Sequence, residues 1–214
     1  MLDNVKSKYI LKEIFENIKN KRKLNIIKYN KRIMINLHIN NKDFEIYITL
    51  KEFNKKYKTN IENIDLKEIY LGHMHIGNGR LKYLFKINFN KLEILNLIGN
   101  NISDINILEK VNFKELKNLY LYQNNISDIK VLEKVRFAKL EELYLSENKI
   151  SDINILEKDY FKYLKKLYLD DNNISDIEVL EKVKFENLEE LNLRGNKIDL
   201  TKNNLNISKF KIIV

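Results

Sequence analysis

Phe89, Phe113, Phe137, Phe161 and Phe185 stand 24 residues apart, and the leucines, isoleucines and asparagines between them keep the same step. A fixed period of that size restricts the chain to a solenoid, a propeller or an array. Each unit is then one supersecondary element that buries its apolar face only against its neighbours. One unit reads Phe113-x-x-Leu116-x-x-Leu119-x-Leu121-x-x-Asn124-x-Ile126-Ser127-Asp128-Ile129-x-x-Leu132-Glu133-Lys134-Val135. The next repeats it through Leu140, Leu143, Leu145, Asn148, Ile150, Ile153 and Leu156.

The L-x-L core of each unit predicts a short strand, paired with its copies in a parallel sheet at a spacing of about 4.8 Å. The return limb, Ile105 to Val111 and its copies, carries apolar residues at helical spacing. Ser103/Asp104, Ser127/Asp128, Ser151/Asp152 and Ser175/Asp176 precede it as N-cap candidates. A helix is about 10 Å across, so wide elements stacked behind narrow strands bend the array, with the strands on the inside. A column of asparagines (Asn100, Asn124, Asn148, Asn172, Asn196) falls where the chain leaves each strand. Buried amides need partners, so these are expected to bond the turn backbone of their own and adjacent units.

The pattern resembles the leucine-rich repeat family, whose signature is L-x-x-L-x-L-x-x-N-x-L, over roughly residues 64–214. The N-x-I-S-D-I-x-x-L phrase is similar to the short repeats of internalins and of phosphatase-regulator leucine-rich proteins, whose units usually run slightly shorter. The resemblance implies an α/β leucine-rich repeat solenoid, with a curved parallel sheet on the concave face and short helices on the convex face. Residues 64–88 read as a degenerate first repeat, in which Leu66-x-x-Ile69-x-Leu71 is followed by Met74 where Asn belongs. Regular units fill 89–198, and Ile207-x-x-Phe210-x-Ile212 predicts a closing strand within 205–214.

Residues 1–63 read as a basic, mainly helical N-terminal cap. Tyr9, Ile10, Ile14, Phe15 and Ile18 make one helical stripe, and Leu24, Ile26, Ile27, Met34 and Leu37 a second, placing two helices over 5–37. Phe44-Glu45-Ile46-Tyr47-Ile48 alternates as a strand does, and Leu50, Phe53 and Tyr57 suggest a further helix. The formal charge of +9 lies wholly here: residues 1–60 hold 15 Lys/Arg against 6 Asp/Glu, while 61–214 hold 24 of each. The segment Ile10-Leu11-x-x-Ile14-Phe15-x-x-Ile18, with Leu24 and Tyr29-Asn30-Lys31, resembles an F-box, although it lacks the opening Leu-Pro and the closing Trp.

Composition excludes several classes. The chain has no cysteine, hence no disulfide or thiolate metal site. The opening Met1-Leu2-Asp3-Asn4-Val5-Lys6 has no apolar leader core, and no run reaches the roughly 18 apolar residues of a spanning helix. A cytoplasmic protein is expected, with the nucleus as the alternative. No phosphate-loop, nucleophile-elbow, zincin or dinucleotide motif occurs, so no catalytic residue, cofactor or metal is assigned and the chain is read as a non-enzyme. His73-Met74-His75 lacks a third ligand and reads as a surface turn.

Function is therefore sought on the strand face. With the leucines inward, the middle outward positions are Tyr70, Asn96, Tyr120, Tyr144, Tyr168 and Asn192. Tyrosine joins large apolar area to few rotatable bonds and a polar tip, which suits it to interfaces. The alternative is that duplication copied the rings and that they stack laterally. The neighbouring columns alternate in sign, as Glu93, Lys117, Glu141, Lys165 and Glu189, then Glu142, Lys166 and Glu190, and read as a self-neutralising ladder. The positions after the strand vary most: Ile98, Tyr122, Ser146, Asp170 and Arg194, then Gly99, Gln123, Glu147, Asp171 and Gly195. Tyr70, Tyr120, Tyr122, Tyr144, Tyr168, Glu147, Asp170, Asp171 and Arg194 are thus the candidate partner-binding residues, with the acidic trio suited to a basic partner.

The leading expectation is a monomeric module that binds a protein or peptide on a concave, Tyr-lined face. Six or seven strands make that face about 30 Å long, enough for about 800 Å² per partner. One alternative is an F-box-like substrate adaptor of a ubiquitin ligase. A second is nucleic-acid or anionic-surface binding through Lys19, Lys21, Arg22, Lys23, Lys28, Lys31 and Arg32, which lack the interleaved aromatics of single-strand binders.

Overall fold

The computed structural model describes residues 41–59, 61, 66–85, 87, 89–135, 137–183, 185–199 and 211–213. The helices expected over 5–37, the F-box-like segment, the basic cluster at 19–32 and residues 207 and 210 of the closing-strand motif lie outside them. The chain divides into two compact units, Met1–Glu62 and Asn63–Val214.

Among the described residues of the first unit, one helix, α1, runs from Asn41 to Tyr57. This corrects the strand expected at Phe44–Ile48. Ile46, Leu50, Phe53 and Tyr57 recur at helical spacing, and no glycine or proline interrupts them. Helix propagation therefore overrides a local two-residue alternation. Phe53 is fully buried and its ring tilts against Tyr57 at 4.5 Å. Asn54 secures the exit of the helix: its Oδ1 accepts from the Ile61 N–H at 2.9 Å and its Nδ2 donates to the Ile61 carbonyl at 2.8 Å.

The second unit is a seven-stranded parallel sheet in sequential order. The strands are β1 (Glu68–Tyr70), β2 (Ile94–Asn96), β3 (Asn118–Tyr120), β4 (Glu142–Tyr144), β5 (Lys166–Tyr168), β6 (Glu190–Asn192) and β7 (Lys211–Ile213). Register follows the repeat without a slip, so Ile69, Leu95, Leu119, Leu143, Leu167, Leu191 and Ile212 lie side by side. The central residue of β1 to β6 is buried while its neighbours are not. Alternation thus sends one column to the core and two to the outer face.

Behind the sheet run short return limbs. They are α2 (Gly77–Leu84), α3 (Leu132–Val135) and α4 (Glu178–Lys182), with 3₁₀ turns at Asn106–Lys110, Asn154–Glu157 and Asp159–Tyr163. The expected aspartate caps are present, one residue outside the formal cap position. The cap positions of three limbs are Ile105, Ile153 and Ile177, which have no side-chain cap bond and are buried. The aspartate one residue earlier, one of the expected candidates, supplies the capping bond. Asp104, Asp128, Asp152 and Asp176 each accept, through Oδ1, from the N–H two residues on, at 2.8–2.9 Å. The core claims the isoleucine, so the polar acceptor sits one step outside the turn.

Every core layer is built alike. Phe89, Phe113, Phe137 and Phe161 are buried, while Phe185 is half-buried. The asparagine column knits the layers. Asn124 Oδ1 accepts from the N–H groups of Asn100 and Ile102 at 3.0 Å, and its Nδ2 donates to the carbonyls of Leu97 at 3.0 Å and Leu121 at 2.9 Å. Asn148 and Asn172, one and two units on, repeat the amide donations and the bond from the isoleucine N–H. Met74 lacks the amide, but its N–H, with that of Ile76, donates to Asn100 Oδ1 at 3.1 Å, so the irregular first turn still joins the column.

Candidate partner-binding surface on the strand face

The three consecutive tyrosines of β3, β4 and β5 point outward, as the alternation requires. Their rings stack: Tyr120 on Tyr144 with centroids 4.7 Å apart and planes 21° apart, and Tyr144 on Tyr168 at 4.7 Å and 10°. That spacing is close to the strand repeat, so the register alone brings the rings face to face. Asn96 and Asn192 bracket the stack on β2 and β6. Each folds its Oδ1 back onto the N–H two residues on, Ile98 and Arg194 respectively. Tyr70 belongs to the same column but stands apart beyond Asn96, 57% exposed.

Glu142 ties the stack down, and the sequence reading did not single it out. Its Oε2 accepts from Asn118 Nδ2 at 2.7 Å, from the Tyr144 hydroxyl at 3.2 Å and, at 3.5 Å, from the Tyr120 hydroxyl. Its Oε1 pairs with Lys166 Nζ at 3.3 Å. The Tyr168 hydroxyl donates to Glu190 Oε2. Each carboxylate holds the phenol protonated. Tyr168 is pushed up to about 12, first by the bond to Glu190 and then by burial. Tyr144 and Tyr120 are raised, first by burial and then by the Glu142 charge.

The sign-alternating columns pair across strands. Glu93 takes Lys67 and Lys117, each at 2.7 Å, and Lys165 reaches Glu141 at 2.7 Å. The two lysine hydrogen bonds hold the Glu93 carboxyl down at about 2. On the return limbs, the recurring Glu-Lys pairs also bridge neighbouring repeats: Lys134 to Glu109 at 3.2 Å and Lys158 to Glu133 at 2.7 Å. In sequence these pairs look like mere copies.

The rim after the strands has one backbone conformation under varied side chains. His73, Gly99, Gln123, Glu147, Asp171 and Gly195 all adopt positive φ, between 52° and 71°. This is the left-handed region that favours glycine. Asp171 lies over Gly195, where an added Cβ would sit 2.1 Å from its Oδ1, and His73 covers Gly99 in the same way. Gln123 Nε2 donates to the Glu147 carboxylate at 3.1 Å, and the Ser146 hydroxyl donates to Asp170. Tyr122 is half-buried, and Arg194 is exposed beside Asp170 one strand on. His73 and His75 sit in a tight turn at positive φ. Among the described residues, no three His, Asp or Glu side chains gather as a metal site, and no helix is long and apolar enough to cross a membrane.

Family profiles match the repeated region directly. Residues 114–158 match Leucine Rich repeats (2 copies), and residues 164–183 and 187–210 each match a Leucine Rich Repeat. The chain is a leucine-rich repeat protein. Among solved structures, it resembles internalin C2 of Listeria monocytogenes at 20% identity, over 77% of this chain and 90% of that one, with a TM-score of 0.50. This likeness concerns the fold. An internalin (inlF) of the same organism is 25% identical over 56% of this chain and 38% of its own, with a TM-score of 0.46. A Leptospira interrogans leucine-rich repeat protein is 23% identical over 65% and 34%, with a TM-score of 0.49. This repeat protein thus spans well under half of those last two chains. No curated protein sequence matches it. Leucine-rich repeat proteins generally mediate protein–protein interaction and are generally non-enzymatic binding modules.

Proposed function

We propose that the strand face of this leucine-rich repeat protein is a docking surface for a protein or peptide partner, centred on Tyr120, Tyr144 and Tyr168. One observation supports it above the others: three large rings are stacked on the outward face, with hydroxyls already oriented by Glu142 and Glu190. Such a platform loses little side-chain entropy when a partner lands, and immobilising loose side chains is a main cost of association. Tyr70 and Tyr122 extend the platform toward β1, and Glu147, Asp170, Asp171 and Arg194 form its polar rim. Lateral stacking and partner binding are compatible, because stacking uses the ring faces and leaves the ring edges and oxygens outward.

The test is affinity capture with quantitative mass spectrometry, comparing the natural chain with a Tyr120→Ala, Tyr144→Ala, Tyr168→Ala variant. Circular dichroism confirms that both are folded. Loss of a specific captured protein from the folded variant is expected. An unchanged set of captured proteins would remove this surface from consideration.

A further inference from the structure

The strand face is divided along its length, and the division specifies the partner. This inference rests on the docking reading above. Toward β1–β3 the outward positions include the apolar Tyr70, Ile94 and Tyr122, set among Glu68, Asn96 and Asn118, while Ile98 is buried. Across β4 and β5 the corresponding positions are Glu142 and Lys166, then Asp170 and the buried Ser146, with Glu147 and Asp171 just beyond. Residues 61–214 hold as many Lys/Arg as Asp/Glu, so this is placement and not composition.

Internal bonds sharpen the polarity of that second half. The Tyr120 and Tyr144 hydroxyls donate to Glu142, the Tyr168 hydroxyl to Glu190, the Ser146 hydroxyl to Asp170, and the Gln123 amide to Glu147. A hydroxyl that has donated keeps only acceptor lone pairs, and a carboxylate is acceptor-only. The nearby lysines are likewise engaged: Lys165 with Glu141 and Lys166 with Glu142. Glu147, Asp170 and Asp171 form no salt bridge among the described residues. Arg194 closes the stretch on β6. What faces outward is therefore negative and rich in acceptors, and a partner must bring donors and positive charge to complement it.

We infer that the strand face takes an extended basic segment of a partner protein, with an apolar side chain over Ile94 and Tyr122 and Lys or Arg side chains over Glu147, Asp170 and Asp171. The centres of the two halves are about 12 Å apart at about 4.8 Å per strand, which an extended chain covers in about four residues. Arginine suits the acidic end best, because its planar fork matches carboxylates.

The probe is a library of short random peptides displayed on phage and panned on the full chain, with fluorescence anisotropy on the peptides recovered. Recovered sequences are expected to carry an apolar residue and, about four positions away, Lys or Arg. Their affinity should fall about tenfold in a Glu147→Gln, Asp170→Asn, Asp171→Asn variant, and should fall with added salt. The substitutions are close in shape, and Asn accepts the left-handed backbone at 171. Recovery of no basic sequence, or equal binding to the neutralised variant, overturns the inference. The docking reading is judged separately: peptides of any charge that bind the natural chain but not the tyrosine variant preserve it, whereas equal binding to both removes it along with the inference.

Discussion

The side-chain amide of Asn124 donates to the carbonyl of Leu97 at 3.0 Å, across 27 residues of sequence. It joins the end of one strand layer to its own turn, and its oxygen takes two N–H groups of the preceding unit. All of these groups are buried, so water has no access to replace the lost partners. Asn124→Ala should destabilise the array by about 3 kcal/mol, the cost of leaving buried amide groups unpaired. The same change at Asn196, which is half-exposed at the last regular turn, should cost about 1 kcal/mol. Urea unfolding followed by circular dichroism measures both, and equal losses would show that the amides are not what joins the layers.

Tyr144 is the middle ring of the stack and touches both neighbours, whereas Tyr120 touches one. Aromatic pairs add about 0.5–1.5 kcal/mol each beyond area burial. Tyr144→Ala should therefore cost more stability than Tyr120→Ala by about one such pair. Tyr144→Phe keeps both stacking contacts and loses only the half-exposed bond to Glu142, so its effect should stay within about 1 kcal/mol. Thermal unfolding of the three variants gives the order directly.

The solenoid was legible in the sequence because its period is long, exact over five units and written in several residue types at once. The leucine column gives the strand register, and the asparagine column marks the turn. Three other features were not legible. The first half of the helix over Asn41–Tyr57 has no repeat to average over and reads as five alternating residues, whereas Leu50, Phe53 and Tyr57 do signal its second half. The expected aspartates cap the return limbs, but from one residue outside the cap position, because Ile105, Ile153 and Ile177 are committed to the core, and that offset is not legible. Glu142 looks like one member of a charge ladder. Its role as the common acceptor for Asn118, Tyr120 and Tyr144 depends on side-chain reach across two strands, which spacing along the chain does not encode. The ring-to-ring stacking, by contrast, follows from the column alone once the strands pair in register.

The phenols make the array sensitive to alkali. Tyr168 ordinarily titrates near 10.0 and is pushed up to about 12 when folded, so above pH 10 the unfolded chain releases a proton that the folded chain keeps. The stability linked to that proton is present below pH 10 and falls as the pH climbs toward 12. Ultraviolet titration of tyrosinate should show a late component that loses one phenol in Tyr168→Phe, with the raised Tyr120 and Tyr144 remaining. Glu190→Gln should shift that phenol to lower pH, because the charge and acceptor that hold it protonated are gone. A late component unchanged by both substitutions would place the perturbed phenol elsewhere.

Glu93 gives the opposite sign at the acid end. Lys117 and Lys67 each donate to it at 2.7 Å and hold its carboxyl at about 2, against an ordinary 4.5. A depressed carboxyl stabilises the folded chain above pH 4.5, and that contribution drains away as the pH falls toward 2. Carboxyl-carbon NMR should find Glu93 titrating well below the ordinary 4.5. Lys117→Met should raise the Glu93 midpoint more than Lys67→Met does, since the Lys117 hydrogen bond is the larger cause of the depression. The shift should also shrink in high salt, because both partners are solvent-exposed and screened. A Glu93 midpoint near 4.5 in the natural chain would mean that the lysines do not hold these positions in solution, and the cross-strand ladder would then be no more than a row of independent surface charges.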